Sequence, residues 1–168
     1  MRRSTTVILI ISIVIVGLVT FIFYNSLEEQ EKSADKSTGV LSFIINVFNL
    51  DCDQEGVNKL HKALRKTAHV LEFTALGVLL SMFFRKFERR NGRKYIAFPL
   101  FIGLLVGVLD EYIQSFNDRS SEVMDILIDF GGAATGLFVT MLVFYLLDKR
   151  RRARRRRRLY EYEENYGS

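Results

Sequence analysis

Arg65, Lys66, His69 and Glu72 fall within eight consecutive residues, and Asp110, Glu111 and Gln114 within five, followed by Arg119, Asp125 and Asp129. His69 is the candidate for proton transfer, because imidazole changes charge near neutral pH. The alternative role is a structural hydrogen bond to a neighbouring carboxylate. Glu72 could orient His69 or pair with Arg119, and a structural ion pair would account for it equally well. Asp110, Glu111, Asp125 and Asp129 would repel one another unless protons, Arg65, Lys66, Arg119 or a divalent cation compensate. Hard oxygen ligands of this kind suit Mg²⁺, Ca²⁺ or Mn²⁺. Arg119 and the Arg65–Lys66 pair can balance the charge alone, so no metal site is assigned and no cofactor expected. A divalent cation is the open alternative. Gln114 can donate and accept at once, as a ligand or a network amide. Arg65 and Arg119 can fork onto a phosphate or carboxylate, or snorkel to headgroups.

These residues are informative because of the apolar sequence around them. A charge at the centre of a bilayer costs roughly 2.5–3.5 kcal/mol on insertion scales, so it persists only when paired, hydrated or useful. Val7–Tyr24 is almost unbroken apolar sequence; Ala68–Phe84 is apolar apart from His69, Glu72 and small hydroxyl residues. Tyr95–Leu109 carries no charge, and Val123–Leu147 carries only Asp125 and Asp129. A hydrocarbon core of about 30 Å takes roughly 20 helical residues. The first and fourth stretches reach that length alone, the second and third once their polar flanks count as helix. The expectation is an all-α membrane protein, a bundle of four transmembrane helices. Arg2-Arg3 before an apolar core could mark a signal peptide. The apolar run is longer than a typical signal core and Asn25-Ser26-Leu27-Glu28 is no cleavage site, so an uncleaved anchor is expected. Cys52 is the single cysteine, which excludes an internal disulfide and a cysteine zinc site.

Orientation follows Lys and Arg in the short connections. Residues 85–94 hold Arg85, Lys86, Arg89, Arg90, Arg93 and Lys94; the tail holds Lys149–Arg152 and Arg154–Arg158. The 110–122 connection holds only Arg119. Both termini and the 85–94 loop are therefore expected in the cytoplasm, with 25–66 and 110–122 outside. The basic residues of 25–66 oppose this, but that segment is long and carries as many acids, which weakens its vote. Within it, Gly39–Phe48 is too short to span and too apolar to float free. It reads as an interfacial helix on the outer leaflet or an ordinary helix packed on the bundle. The expected divisions are 1–24 (first helix), 25–64 (extracellular segment), 65–148 (three-helix core) and 149–168 (basic tail). Anionic lipid headgroups explain the tail, and nucleic-acid binding would need more than a charge run.

With this topology every polar position lies in the outer half of a helix. At about 100° per residue, Arg65, His69 and Glu72 share a face, as do Asp110, Glu111 and Gln114. Asp125 and Asp129 are one turn apart, and Gly132 and Gly136 extend their stripe. Small residues allow close helix approach, so this stripe should face another helix. Gly103 and Gly107 form a similar flat patch.

Lys66-x-x-His69, Asp110-Glu111-x-x-Gln114-x-Phe116, Arg119, and Asp125-x-x-x-Asp129 with Gly132 and Gly136 resemble the VanZ-like membrane proteins over roughly residues 60–147. Two positions depart from that pattern: Asp129, where Asn is common, and Asn117-Asp118, where Pro-Gly often precedes the Arg. The resemblance implies a multi-pass protein of the bacterial cell membrane, and its name-giving member is associated with low-level teicoplanin resistance. It supplies no mechanism.

Three functions fit these residues. A binding or resistance module would recognise a membrane lipid, a lipid-linked cell-wall precursor or the glycopeptide itself, through Arg65, Lys66, Gln114, Arg119, Asp125 and Asp129. An intramembrane enzyme acting on a phosphate-bearing envelope lipid would use His69, Glu72, Asp110 and Glu111 as its catalytic set. A structural protein would merely pair its buried charges. The single intramembrane His and the lack of an obvious Ser or Cys nucleophile count against the enzyme. Four helices without an evident repeat count against a transporter, an objection that a homo-oligomer would relax.

Overall fold

The computed structural model describes residues 2–27, 54–117 and 123–166, with the isolated positions Gly39 and Val47. The expected Gly39–Phe48 helix, Cys52 and Arg119 lie outside the described residues. The described residues form four α-helices, α1 (Arg2–Leu27), α2 (Gln54–Asn91), α3 (Ala97–Gln114) and α4 (Val123–Tyr166), with one 3₁₀ turn at Ser115–Asn117. All four are long and apolar enough to cross a membrane, as expected. The chain is a multi-pass, all-helical membrane protein.

Three boundaries differ from expectation. α2 starts at Gln54, well before Arg65, and runs on to Asn91. The basic 85–94 segment is therefore mostly helix, and the reversal is confined to residues 92–96. Gly92 makes that stop, with φ of 68° and its N–H donating to the Glu88 carbonyl at 2.8 Å, a left-handed glycine cap. The third difference is the basic tail, which continues α4 unbroken to Tyr166.

α2 and α4 form the most extensive contact, and α1 packs on α2 and α3. Glycine spacing explains the first. A Cβ at Gly136 would strike the Thr74 carbonyl of α2, one at Gly77 the Ala133 carbonyl of α4, and one at Gly132 would sit 2.8 Å from the Val70 carbonyl. Lipid tails are as apolar as leucine, so close backbone packing rather than the hydrophobic effect holds such helices together. Gly103 of α3 likewise faces Ala133, whose Cβ would lie 2.9 Å from a Cβ added at Gly103. Ile22 of α1, Phe73, Leu76 and Leu80 of α2, Val106 of α3 and Ala133 of α4 form the buried core. The core separates two polar ends: one with Asn25, Ser26, His69, Asp110 and Asp129, the other with Arg85, Lys94 and the arginines of α4.

Candidate functional site

Each helix delivers its polar residues to the first of these ends. Asp110 of α3 is fully buried and lies at the centre. Its carboxylate accepts a hydrogen bond from Ser26 Oγ of α1 and another from Gln114 Nε2 at 2.8 Å, one turn along its own helix. His69 Nδ1 stands 3.6 Å from Asp110 Oδ2, within ion-pair range but too long for a hydrogen bond. Asp129 of α4 completes a triangle: one ligand atom each from His69, Asp110 and Asp129 lies within 4.8 Å of the others. Glu111 and Asp129 are each 3% exposed. The stripe of Asp125, Asp129, Gly132 and Gly136 thus faces protein, as the glycines indicated.

Lys66 Nζ donates to Asp125 Oδ1 at 2.5 Å, joining α2 to α4. This pair, with Arg65, His69, Glu111, Gln114, Ile128 and Asp129, lines a cavity of about 20 Å³. That volume suffices for one water or a bare ion. A larger headgroup requires Lys66 and Asp125 to part.

Glu72 has a partner outside its expected pairings, while Arg119, one of the two expected partners, lies outside the described residues. Glu72 accepts a hydrogen bond from Asn25 Nδ2 of α1 at 3.1 Å, while its Oε2 is buried without a hydrogen-bond partner among the described residues. It does not line the small cavity. The helical phase of residues 65–72 therefore splits between two neighbours: Lys66 reaches α4, and Glu72 reaches α1. Of the expected site residues, Arg65, Lys66, His69, Asp110, Glu111, Gln114, Asp125 and Asp129 converge here.

Asn25 and Ser26 were absent from the expected site. Their signal was available, since a polar pair ends the apolar run of α1 at the depth reached by the other polar positions. Asp110 thus draws on α1 as well as on the three-helix core.

Charge balance bounds the chemistry. Glu72, Asp110, Glu111, Asp125 and Asp129 face two fixed cations among the described residues, Arg65 and Lys66, besides His69. Further positive charge can come from protons, a cation or Arg119, which lies outside the described residues, and Arg65 and Lys66 at the edge of the site can meet an anion.

No curated protein and no solved structure matches this chain. The VanZ/LLP1 family matches residues 9–145, taking in all four helices and reaching far beyond the 60–147 span that the motifs suggested. The match begins inside α1, the helix that supplies Ser26 and Asn25 to the cluster. The chain belongs to the VanZ/LLP1 family.

Proposed function

We propose that this protein sits in the bacterial cell membrane with both termini in the cytoplasm. In this reading its outward polar site binds an envelope component, a lipid or lipid-linked cell-wall precursor or the glycopeptide itself, and so contributes to teicoplanin-type resistance. One observation carries the reading: charged residues from α2, α3 and α4 line a single cavity closed by the Lys66–Asp125 pair. Arg65 and Lys66 receive an anionic group of the ligand, while Gln114 and the carboxylates bind its donors. Arg119 is proposed to join them.

The test is to make His69→Ala, Gln114→Ala and Arg119→Ala separately, then measure folded yield, melting in detergent and protection against a glycopeptide. Binding predicts variants that fold normally and no longer protect. Protection falling only in proportion to folded protein would support the structural role instead.

A second reading, an intramembrane enzyme acting on a phosphate-bearing lipid, is favoured by the proximity of His69, Asp110 and Asp129. That triangle could hold a divalent cation with hard oxygen ligands and one imidazole. Metal retained by the purified protein and lost in Asp129→Asn, together with turnover of a lipid phosphate, would favour it over simple binding.

A further inference from the structure

At the opposite end of the bundle, α2, α3 and α4 enclose a second cavity of about 730 Å³ that shares no residue with the first. On the side nearer the buried core its lining is apolar, with Pro99, Leu137, Met141 and Phe144. Ser81 also lines it, 8% exposed, with a hydroxyl that has no hydrogen-bond partner among the described residues. The rim is cationic, with Lys94 from the connection before α3 and Lys149, Arg152, Arg155 and Arg156 from α4.

The lining carboxylates do not neutralise that rim. Asp148 binds Arg85 at 2.5 Å, and Arg85 also lies 4.1 Å above the Phe144 ring. Glu88 accepts the Tyr95 N–H at 2.9 Å. Both acids are thus engaged within the protein, and among the described residues none of the five rim cations pairs with a carboxylate. Along α4, the fifteen steps from Leu137 to Arg152 rise about 22 Å. One leaflet with its headgroup layer is about 20–22 Å, half the full bilayer thickness. Apolar depth and cationic rim are therefore spaced as the chains and phosphate of a membrane lipid are.

We propose that this cavity binds one anionic phospholipid of the leaflet at the basic end of the bundle. The acyl chain lies along Phe84, Met141 and Phe144, and the phosphate rests on Lys94, Arg152 and Arg156. A water-soluble anion would leave the apolar depth unfilled, and a polynucleotide could not enter it. The site is independent of the function proposed for the other end.

The experiment distinguishes a built site from general attraction of the tail to anionic membranes. The full-length protein in non-ionic detergent is titrated with phosphatidylglycerol, with phosphatidylcholine of the same chains and with glycerol phosphate, followed by native mass spectrometry and melting. Arg152→Ala/Arg156→Ala should weaken phosphatidylglycerol binding about tenfold or more, because it removes two phosphate contacts. Arg150→Ala/Arg157→Ala removes the same charge from positions outside the cavity and should change binding less than about twofold. Lys94→Ala, on a different element, should weaken it as well. Alanine favours helix, so the substitutions on α4 leave that helix intact. Equal losses in the two double variants, or no preference for phosphatidylglycerol over phosphatidylcholine, would overturn the proposal. Competition by glycerol phosphate as effective as by the lipid would overturn it in favour of a free phosphate ligand.

Discussion

Asp110 is more deeply buried than Glu111 and Asp129 beside it. It is fully buried, and Ser26, Gln114 and His69 surround its two oxygens. A hydrogen bond to a charged group is worth about 1.5–3 kcal/mol, and deleting the donor leaves the acceptor to bear its full desolvation cost. Ser26→Ala is therefore expected to lower stability in detergent by roughly 1.5–3 kcal/mol. Ser12→Ala on the same helix provides the comparison. Ser12 Oγ bonds only the Ile8 carbonyl one turn back at 2.9 Å, a contact that does nothing for helix stability. Unfolding measured in one detergent for both variants tests this, and equal effects would show that Ser26 does not support Asp110. Most of this environment was legible in the sequence: the spacing of His69, Asp110, Gln114 and Asp129, set against helical phase and depth, placed them together. Ser26 and Asn25 left a weaker signal. A Ser or Asn at the end of an apolar run has the same composition as an ordinary headgroup-facing flank, and the Ser26–Asp110 bond spans 84 residues of chain. The Glu72–Asn25 bond was hidden for a related reason, since phase fixes which side of a helix a residue occupies but not which of two neighbours lies there.

At the scale of elements, the α2–α4 seam decides whether the site exists, because it brings His69 and Lys66 to Asp129 and Asp125. Glycine content alone does not identify the seam. Gly131 has nothing within 4 Å of where a Cβ would stand, while at Gly136 that atom would meet the backbone of Thr74 and Val78. Gly131→Ala is expected to be neutral or stabilising by up to about 1 kcal/mol, the ordinary gain of alanine over glycine in a helix. Gly136→Ala must push two backbones apart and should be clearly destabilising, on the order of 1–3 kcal/mol for overpacking. Melting of the two variants measures the difference, and equal melting would remove the seam from the account. The face was legible from the spacing of Asp125, Asp129, Gly132 and Gly136. The lengths of α2 and α4 were not. A helix with charged ends beyond the bilayer gives no apolar signal there, so hydropathy reads only the crossing segment of each.

Across the whole molecule, the two ends of the bundle carry opposite chemistry. Carboxylates gather where α1 and α3 end and the membrane-crossing part of α2 begins, and Lys and Arg gather where α2 ends and α4 extends beyond the core. Positive charge resists transfer across a bilayer during insertion, so short basic connections stay in the cytoplasm. The basic end should therefore lie inside and the carboxylate site outside. Glu55 and Asn91, near the two ends of α2, are both exposed and 36 positions apart. A continuous helix of that length rises about 54 Å, more than the full thickness of a bilayer with its headgroups. The two positions must accordingly lie on opposite sides, whichever way the protein is inserted. In a Cys52→Ser background, a membrane-impermeant thiol reagent applied to intact cells is expected to label Glu55→Cys and not Asn91→Cys. Opening the cells should make Asn91→Cys reactive, which confirms that its thiol is accessible. The reverse pattern in intact cells would place His69, Asp110 and Asp129 at the cytoplasmic face. It would remove the outward site from reach of any glycopeptide while leaving the geometry of the cluster untouched.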